Sequence, residues 1–146
     1  MLVLGHIALG YITGKTVSKA TDQNINIPVI WILSLLPDID LLIPGLQHRG
    51  PTHSIIVAFI IFTPIFIITS WKAAPYFAAL ASHSLIGDYF TGKTQLFWPL
   101  SLEWLEFERP IRMGSALESY IELALFAAMI LILILSRDLR VKPYKA

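Results

Sequence analysis

Four histidines and a few carboxylates stand at the ends of apolar stretches: His6, the pair Asp38 and Asp40, the run His48-Arg49-Gly50-Pro51-Thr52-His53-Ser54, and His83 with Asp88. Ionisable groups set in apolar sequence are costly to keep near a membrane core, so their presence reads as function by default. The chain has no cysteine, which removes thiolate nucleophiles, disulfides and thiolate metal sites. What remains is imidazole and carboxylate, a mixed donor set suited to zinc, manganese or iron; carboxylates alone would suit magnesium or calcium. Three or four donors hold one zinc with room for water. The candidates outnumber that, so a bridged pair of ions sharing an aspartate uses them best. An ion held in this way activates water for attack on an ester, and a second ion or an arginine offsets the charge developing on phosphoryl oxygens. Arg49 and Arg112 are candidates for that last role.

The elements that must position these residues are membrane helices. Of 146 residues, 55% are hydrophobic and only 14% charged, with a mean hydropathy of +0.67, whereas an ordinary soluble domain carries about a quarter charged residues. The formal net charge of +1, with no concentrated basic face, excludes nucleic acid as a partner. The apolar N-terminus has no basic stretch before it and no small-residue cleavage site, so it is expected to be a retained helix.

Five apolar segments are expected. Residues 55–71 carry no charge until Lys72, and residues 123–136 extend back through Glu122 and Glu118, so both make clean spans of a ~30 Å core. Residues 1–20, 27–46 and 73–89 are spans with a polar end. Pro37 predicts a helix break inside the second of these, and Pro44-Gly45 closes it. With no repeat or linker, residues 1–146 read as one all-α domain, a polytopic bundle of about five helices with interrupted helices around a metal site. With the N-terminus outside, Lys15, Lys19, Lys72, Arg137, Arg140, Lys142 and Lys145 all face the cytoplasm, while Arg49, Lys93, Arg109 and Arg112 stay outside with Glu103, Glu106 and Glu108. His6, Asp38, Asp40, His48, His53, Asp88 and Glu118 then fall near the outer ends of their helices, with His83 slightly deeper. The site is expected to face the extracytoplasmic side of the cell's inner membrane.

The heptapeptide from His48 to Ser54, preceded by Leu36-Pro37-Asp38-Ile39-Asp40 and followed by Ser82-His83 and Asp88-Tyr89-Phe90-Thr91-Gly92, resembles the membrane-bound metal-dependent hydrolase family typified by YdjM. Gly5-His6-Ile7-Ala8-Leu9-Gly10 and Phe97-Trp98-Pro99-Leu100-Ser101 fit the same likeness, which covers nearly the whole chain. The resemblance implies a metal-dependent hydrolase. A more distant similarity of the His/Asp pattern to zinc-dependent phospholipase C implies a phosphoester substrate by analogy. One spacing departs from the pattern. His83 and Asp88 are five residues apart, which on a regular helix leaves them about 140° apart, so either the helix is irregular there or one of the two is not a ligand.

Each residue also has a plainer role. Asp38 and Asp40 suit a polar turn after Pro37; His53 suits the cap region of a helix; His48 suits a surface loop residue paired with nothing, and beside metal ligation it could support a ligand or contact substrate. His6 is balanced between ligation and helix packing, and Glu122 reads as a buried, hydrogen-bonded glutamate. Gly10 and Gly14 have the spacing of close helix approach. Residues 96–107, with Phe97, Trp98, Trp104 and Phe107 among Glu103 and Glu106, suit a segment lying in the headgroup layer, an anchor before a lid. Together the residues predict a hydrolase of a phosphoester in a membrane lipid or lipid-linked substrate. Asp40, His53, His83 and Asp88 are the core metal ligands, with Asp38 and His6 as further ones. Arg49, His48 and Glu118 are the catalytic candidates, and one or two zinc ions, or manganese or iron, the cofactor. The rivals are a non-catalytic scaffold or transporter with a structural metal or proton relay, and an amidase or carboxylesterase.

Overall fold

The computed structural model describes residues 2–108, 111–136 and 138. Arg109, Arg137, Arg140, Lys142 and Lys145, used above to orient the chain, lie outside the described residues. The fold is all-α: α1 (Val3–Ala20), α2 (Ile27–Leu35), α3 (Ile55–Thr69), α4 (Ala74–Ser82) and α5 (Ala116–Ser136), with 3-10 turns at Leu36–Leu42, Pro51–His53 and Ser70–Ala73 and a π-helical turn at His83–Asp88. Among the described residues two helical stretches are long and apolar enough to cross a membrane, Ile55–Asp88 and Ala116–Ser136.

Local sequence explains the boundaries. The Asn26 side chain accepts a hydrogen bond from the Val29 amide to open α2, and Ser54 accepts from the Ile56 and Val57 amides to open α3. The 27–46 segment is not one regular helix. α2 stops after nine residues, about 14 Å, because Pro37 cannot continue it, and the chain tightens into the 3-10 turn that carries Asp38 and Asp40. Ile55–Asp88 is likewise not straight. Ser70 takes a left-handed φ of 55°, which turns the chain back so that Phe77 of α4 packs against Phe59, Phe62 and Phe66 of α3.

The core lies where α1, α2, α4 and α5 meet, around Ala8, Tyr11, Ile30, Ala79, Met129 and Leu133. Lipid tails are as apolar as leucine, so close backbone approach rather than apolar burial holds such helices together. α1 supplies it. A Cβ at Gly10 would overlap Ser34 Oγ, and one at Gly14 would lie 2.8 Å from Ile30 Cδ1, so the packing reading of these glycines matches their surroundings. The opposite surfaces stay apolar and exposed: Phe62 is the buried residue of α3, while Ile60, Ile61, Ile67 and Ile68 face outward. α1 and α5 run in the same direction. The Leu2 amide donates to Glu122 at one end, and Lys15 and Tyr11 meet Asp138 at the other, at 2.6 and 2.7 Å. Burial alone would raise the Asp138 pKa; the hydrogen bonds from Lys15 and Tyr11 more than offset it and hold the carboxyl below its ordinary value.

Candidate metal centre

The polar residues gather at one end of this bundle, delivered by the C-terminal ends of α2 and α4 and by the turn before α3. Asp38, His53, His83 and Asp88 each offer an atom within 4.8 Å of the others, and Asp40, His48 and His53 form a second such group. His53 belongs to both, one ring nitrogen to each.

In the first group His53 Nε2 lies 3.0 Å from Asp88 Oδ2, 3.4 Å from Asp38 Oδ1 and 3.2 Å from His83 Nε2. His83 Nε2 lies 3.3 Å from Asp88 Oδ2 and 3.4 Å from Asp38 Oδ1. Four donors at the 2.0–2.1 Å bond length of zinc would stand about 3.3–3.4 Å apart at the corners of a tetrahedron, so the set is sized for such an ion. The larger, oxygen-seeking calcium would spread them wider.

The tautomers agree. His83 Nδ1 sits 2.7 Å from the Ser34 carbonyl, which can only accept, so Nδ1 carries the proton and Nε2 presents a lone pair. That carbonyl is available because its partner in a 3-10 turn would be the amide of Pro37, which has no hydrogen. At His53 the Thr52 hydroxyl donates to Asp40 Oδ2 at 2.9 Å, leaving Thr52 Oγ1 and Asp40 as acceptors for Nδ1 at 3.1 and 3.3 Å. Both imidazoles in their neutral form therefore turn lone pairs toward two carboxylate oxygens, a cluster of acceptors that calls for a cation. Burial alone would lower the His53 pKa; its contacts with Asp38 and Asp88 outweigh this and raise it.

Asp88 is brought to His83 by the π turn between them. The Tyr89 amide bonds to the Ser84 carbonyl, five residues back, and this widened turn sets side chains five apart on one face. The irregular-helix alternative is the one present. Gly87 makes the turn fit, since a Cβ there would collide with the His6 ring. His6 stacks on His83 with ring centroids 3.8 Å apart and reaches Asp88 Oδ1 at 3.5 Å, outside both donor groups.

In the second group Asp40 is fully buried and well occupied. It accepts from the Arg49 amide at 3.0 Å and from Thr52, and lies 3.0 Å from His48 Nδ1. His48 is exposed at the rim. Arg49 holds a left-handed φ of 64° and donates through Nη2 to Asp88 Oδ1 at 2.9 Å and Thr91 Oγ1 at 3.3 Å. Its backbone is pinned by Gln95, whose amide donates to the Arg49 carbonyl. Glu118 is buried and accepts from the Gly114 amide. Arg112 is exposed. Ser34, Thr52 and Thr91 have no role in the sequence reading; Thr52, inside the heptapeptide, and Thr91, inside the run of residues 88–92, carry a signal there, and Ser34 carries none.

A model of the YdjM inner membrane protein family matches residues 1–141. The chain belongs to the YdjM family. Among its described residues the chain carries two candidate donor groups and two helical stretches long and apolar enough to cross a membrane. No curated protein and no solved structure matches this YdjM-family chain.

Proposed function

We propose that this YdjM-family protein is a membrane-bound metal-dependent hydrolase acting on a phosphoester of a lipid or lipid-linked substrate. One observation carries the reading: His53 Nε2, His83 Nε2, Asp38 Oδ1 and Asp88 Oδ2 converge with both imidazole Nδ1 atoms turned to acceptors. A zinc ion, or manganese or iron, held there supplies a Lewis acid and activates water at neutral pH.

The chain's own residues divide the remaining work. His53, His83 and Asp88 are the buried ligands. The Asp38 side chain is 25% exposed against 0–2% for the other three, so the open side of the site lies at Asp38, which either completes the set or yields its place to water. Asp40 orients His53 and fixes its tautomer, as carboxylates behind metal-bound histidines do. His6 braces His83 and Asp88. Arg49 faces the site's anionic side and stabilises charge on a phosphoryl group, with His48 at the rim for substrate contact and Glu118 completing the wall. Arg49 also holds Asp88 Oδ1, so Asp38, His53, His83 and Asp88 would together hold one ion. Five crossings with the N-terminus outside put this end of the bundle on the extracytoplasmic face.

A scaffold or transporter with a structural ion is the second reading, favoured by the four protein donors of a single group, the number that closes a structural zinc site. The test is metal per chain by elemental mass spectrometry in mild detergent, on the wild type, His53→Ala and Asp40→Asn, followed by a panel of phospholipids and soluble phosphoesters. About one equivalent of metal, lost in His53→Ala, with phosphate ester cleavage, supports the hydrolase. Tightly held metal with no turnover on any ester supports the structural site.

A further inference from the structure

Beside the donor cluster, on the other side of the π turn, lies a cavity of about 230 Å³ between α1, α5 and the chain after Asp88. Its walls are apolar: Leu9, Ile86, Phe90, Ile111, Ile121 and Leu125. Thr91 and Glu118 are its polar lining among the described residues. Thr91 leads straight to the site, for its hydroxyl is 3.3 Å from Arg49 Nη2, which in turn holds Asp88. Along α5 the lining runs from Glu118 to Leu125, about 10 Å, from the level of the polar cluster toward the middle of the helix.

We propose that this cavity receives the hydrocarbon chain of the substrate, with its phosphate held at the Arg49 end. The inference rests on the hydrolase reading and names the part of the substrate that the reading leaves open. Water in such a space would find few partners, and an empty one forfeits packing along its whole lining, whereas a hydrocarbon chain satisfies it. Ile86, at its edge, is exposed among the bundle's outward apolar residues, so a chain can enter sideways from the bilayer. The charged group of the lining itself is Glu118; Arg49 lies outside it, one hydrogen bond beyond Thr91, so the cation that would meet a phosphate and the apolar slot that would take its chain are joined through Thr91. A second apolar hollow, lined by Phe59, Thr63, Phe66, Ile67, Ser70 and Trp71 on the outer surface of α3, has no charged residue in its lining and serves as a control for lipid that merely surrounds the protein.

The probe is phosphatidic acid bearing a diazirine in its acyl chain, incorporated in nanodiscs with the full-length, metal-loaded protein. Photolabelling is expected on peptides containing Phe90, Ile121 or Leu125. Ile121→Trp, which fills the cavity, is expected to cut it at least tenfold with metal content unchanged, and Leu125→Phe provides the second variant should the first not fold. Labelling confined to the α3 surface, or indifferent to both variants, overturns the proposal. The readout needs no turnover: cavity labelling without hydrolysis refutes the hydrolase reading while the chain site stands, and lipid hydrolysis without cavity labelling refutes the chain site alone.

Discussion

His83 and Asp88, five residues apart, bring Nε2 and Oδ2 to 3.3 Å of each other because the helix between them widens into a π turn. Adding one residue to that turn makes the spacing six, which on an α-helix leaves the two side chains about 120° apart and swings Asp88 away from the cluster. A variant with an alanine inserted after Leu85 is therefore expected to keep its helix content by circular dichroism and to lose metal binding by at least tenfold. Unchanged metal affinity would show that Asp88 is not a ligand.

In the proposed site Asp40 acts on His53 rather than on an ion. Asp40→Asn keeps a side chain of the same shape and is expected to weaken metal binding by about 10- to 100-fold, the usual cost of losing a carboxylate behind a ligand. His53→Ala is expected to abolish binding. Titration of both with a zinc indicator separates the roles, and equal, complete loss in the two would make Asp40 a ligand.

Arg49 combines a left-handed backbone with a guanidinium on Asp88. Arg49→Lys keeps the charge but not the fork that reaches Asp88 and Thr91 together. It is expected to retain metal and to lower kcat on a phosphoester by about 10²-fold, the scale of removing one donor that stabilises a transition-state oxyanion. A change confined to KM would assign Arg49 to ground-state binding instead.

Orientation has its own readout. In a single-cysteine series, which the cysteine-free chain makes simple, Gln47→Cys is expected to react with an impermeant reagent on intact cells and Lys142→Cys to be protected. The reverse pattern places the cluster on the cytoplasmic face.

At the far end of the bundle, Asp138 has its pKa depressed by Lys15 and Tyr11 in the folded state. A depressed carboxylate contributes stability that is fully present above its unfolded value of about 3.9 and is lost as pH falls through the folded one. Asp138→Asn is thus expected to lower thermal stability at pH 7, by about 1 kcal/mol, and to make no difference at strongly acid pH. A pH-independent penalty would point to packing rather than charge.

The gathering of Asp38, His53, His83 and Asp88 was legible from sequence because each stands at an apolar segment's end and such residues are costly unless used together. The break at Pro37 was legible for the same local reason. The relation between the two aspartates of the 3-10 turn was not, because it depends on which one the Arg49 amide and Thr52 reach, and that is decided by the fold of the 48–54 turn over it. Nor was the Ser34 carbonyl behind His83, since a main-chain acceptor has no signature in residue type. The stacking of His6 on His83 depends on how near α1 approaches the π turn, which Gly87 permits and spacing alone does not reveal.

The converging donors all lie between Asp38 and Asp88, while the parallel partner of α1 begins at Ala116. During synthesis, then, every donor leaves the ribosome before the helix that walls the neighbouring cavity. A nascent chain halted after residue 108 already carries the full donor set and lacks α5, which supplies Met129 and Leu133 of the core and one wall of the cavity. On the proposed function, loading with metal could thus precede readiness for substrate, because α5 follows every donor in the chain.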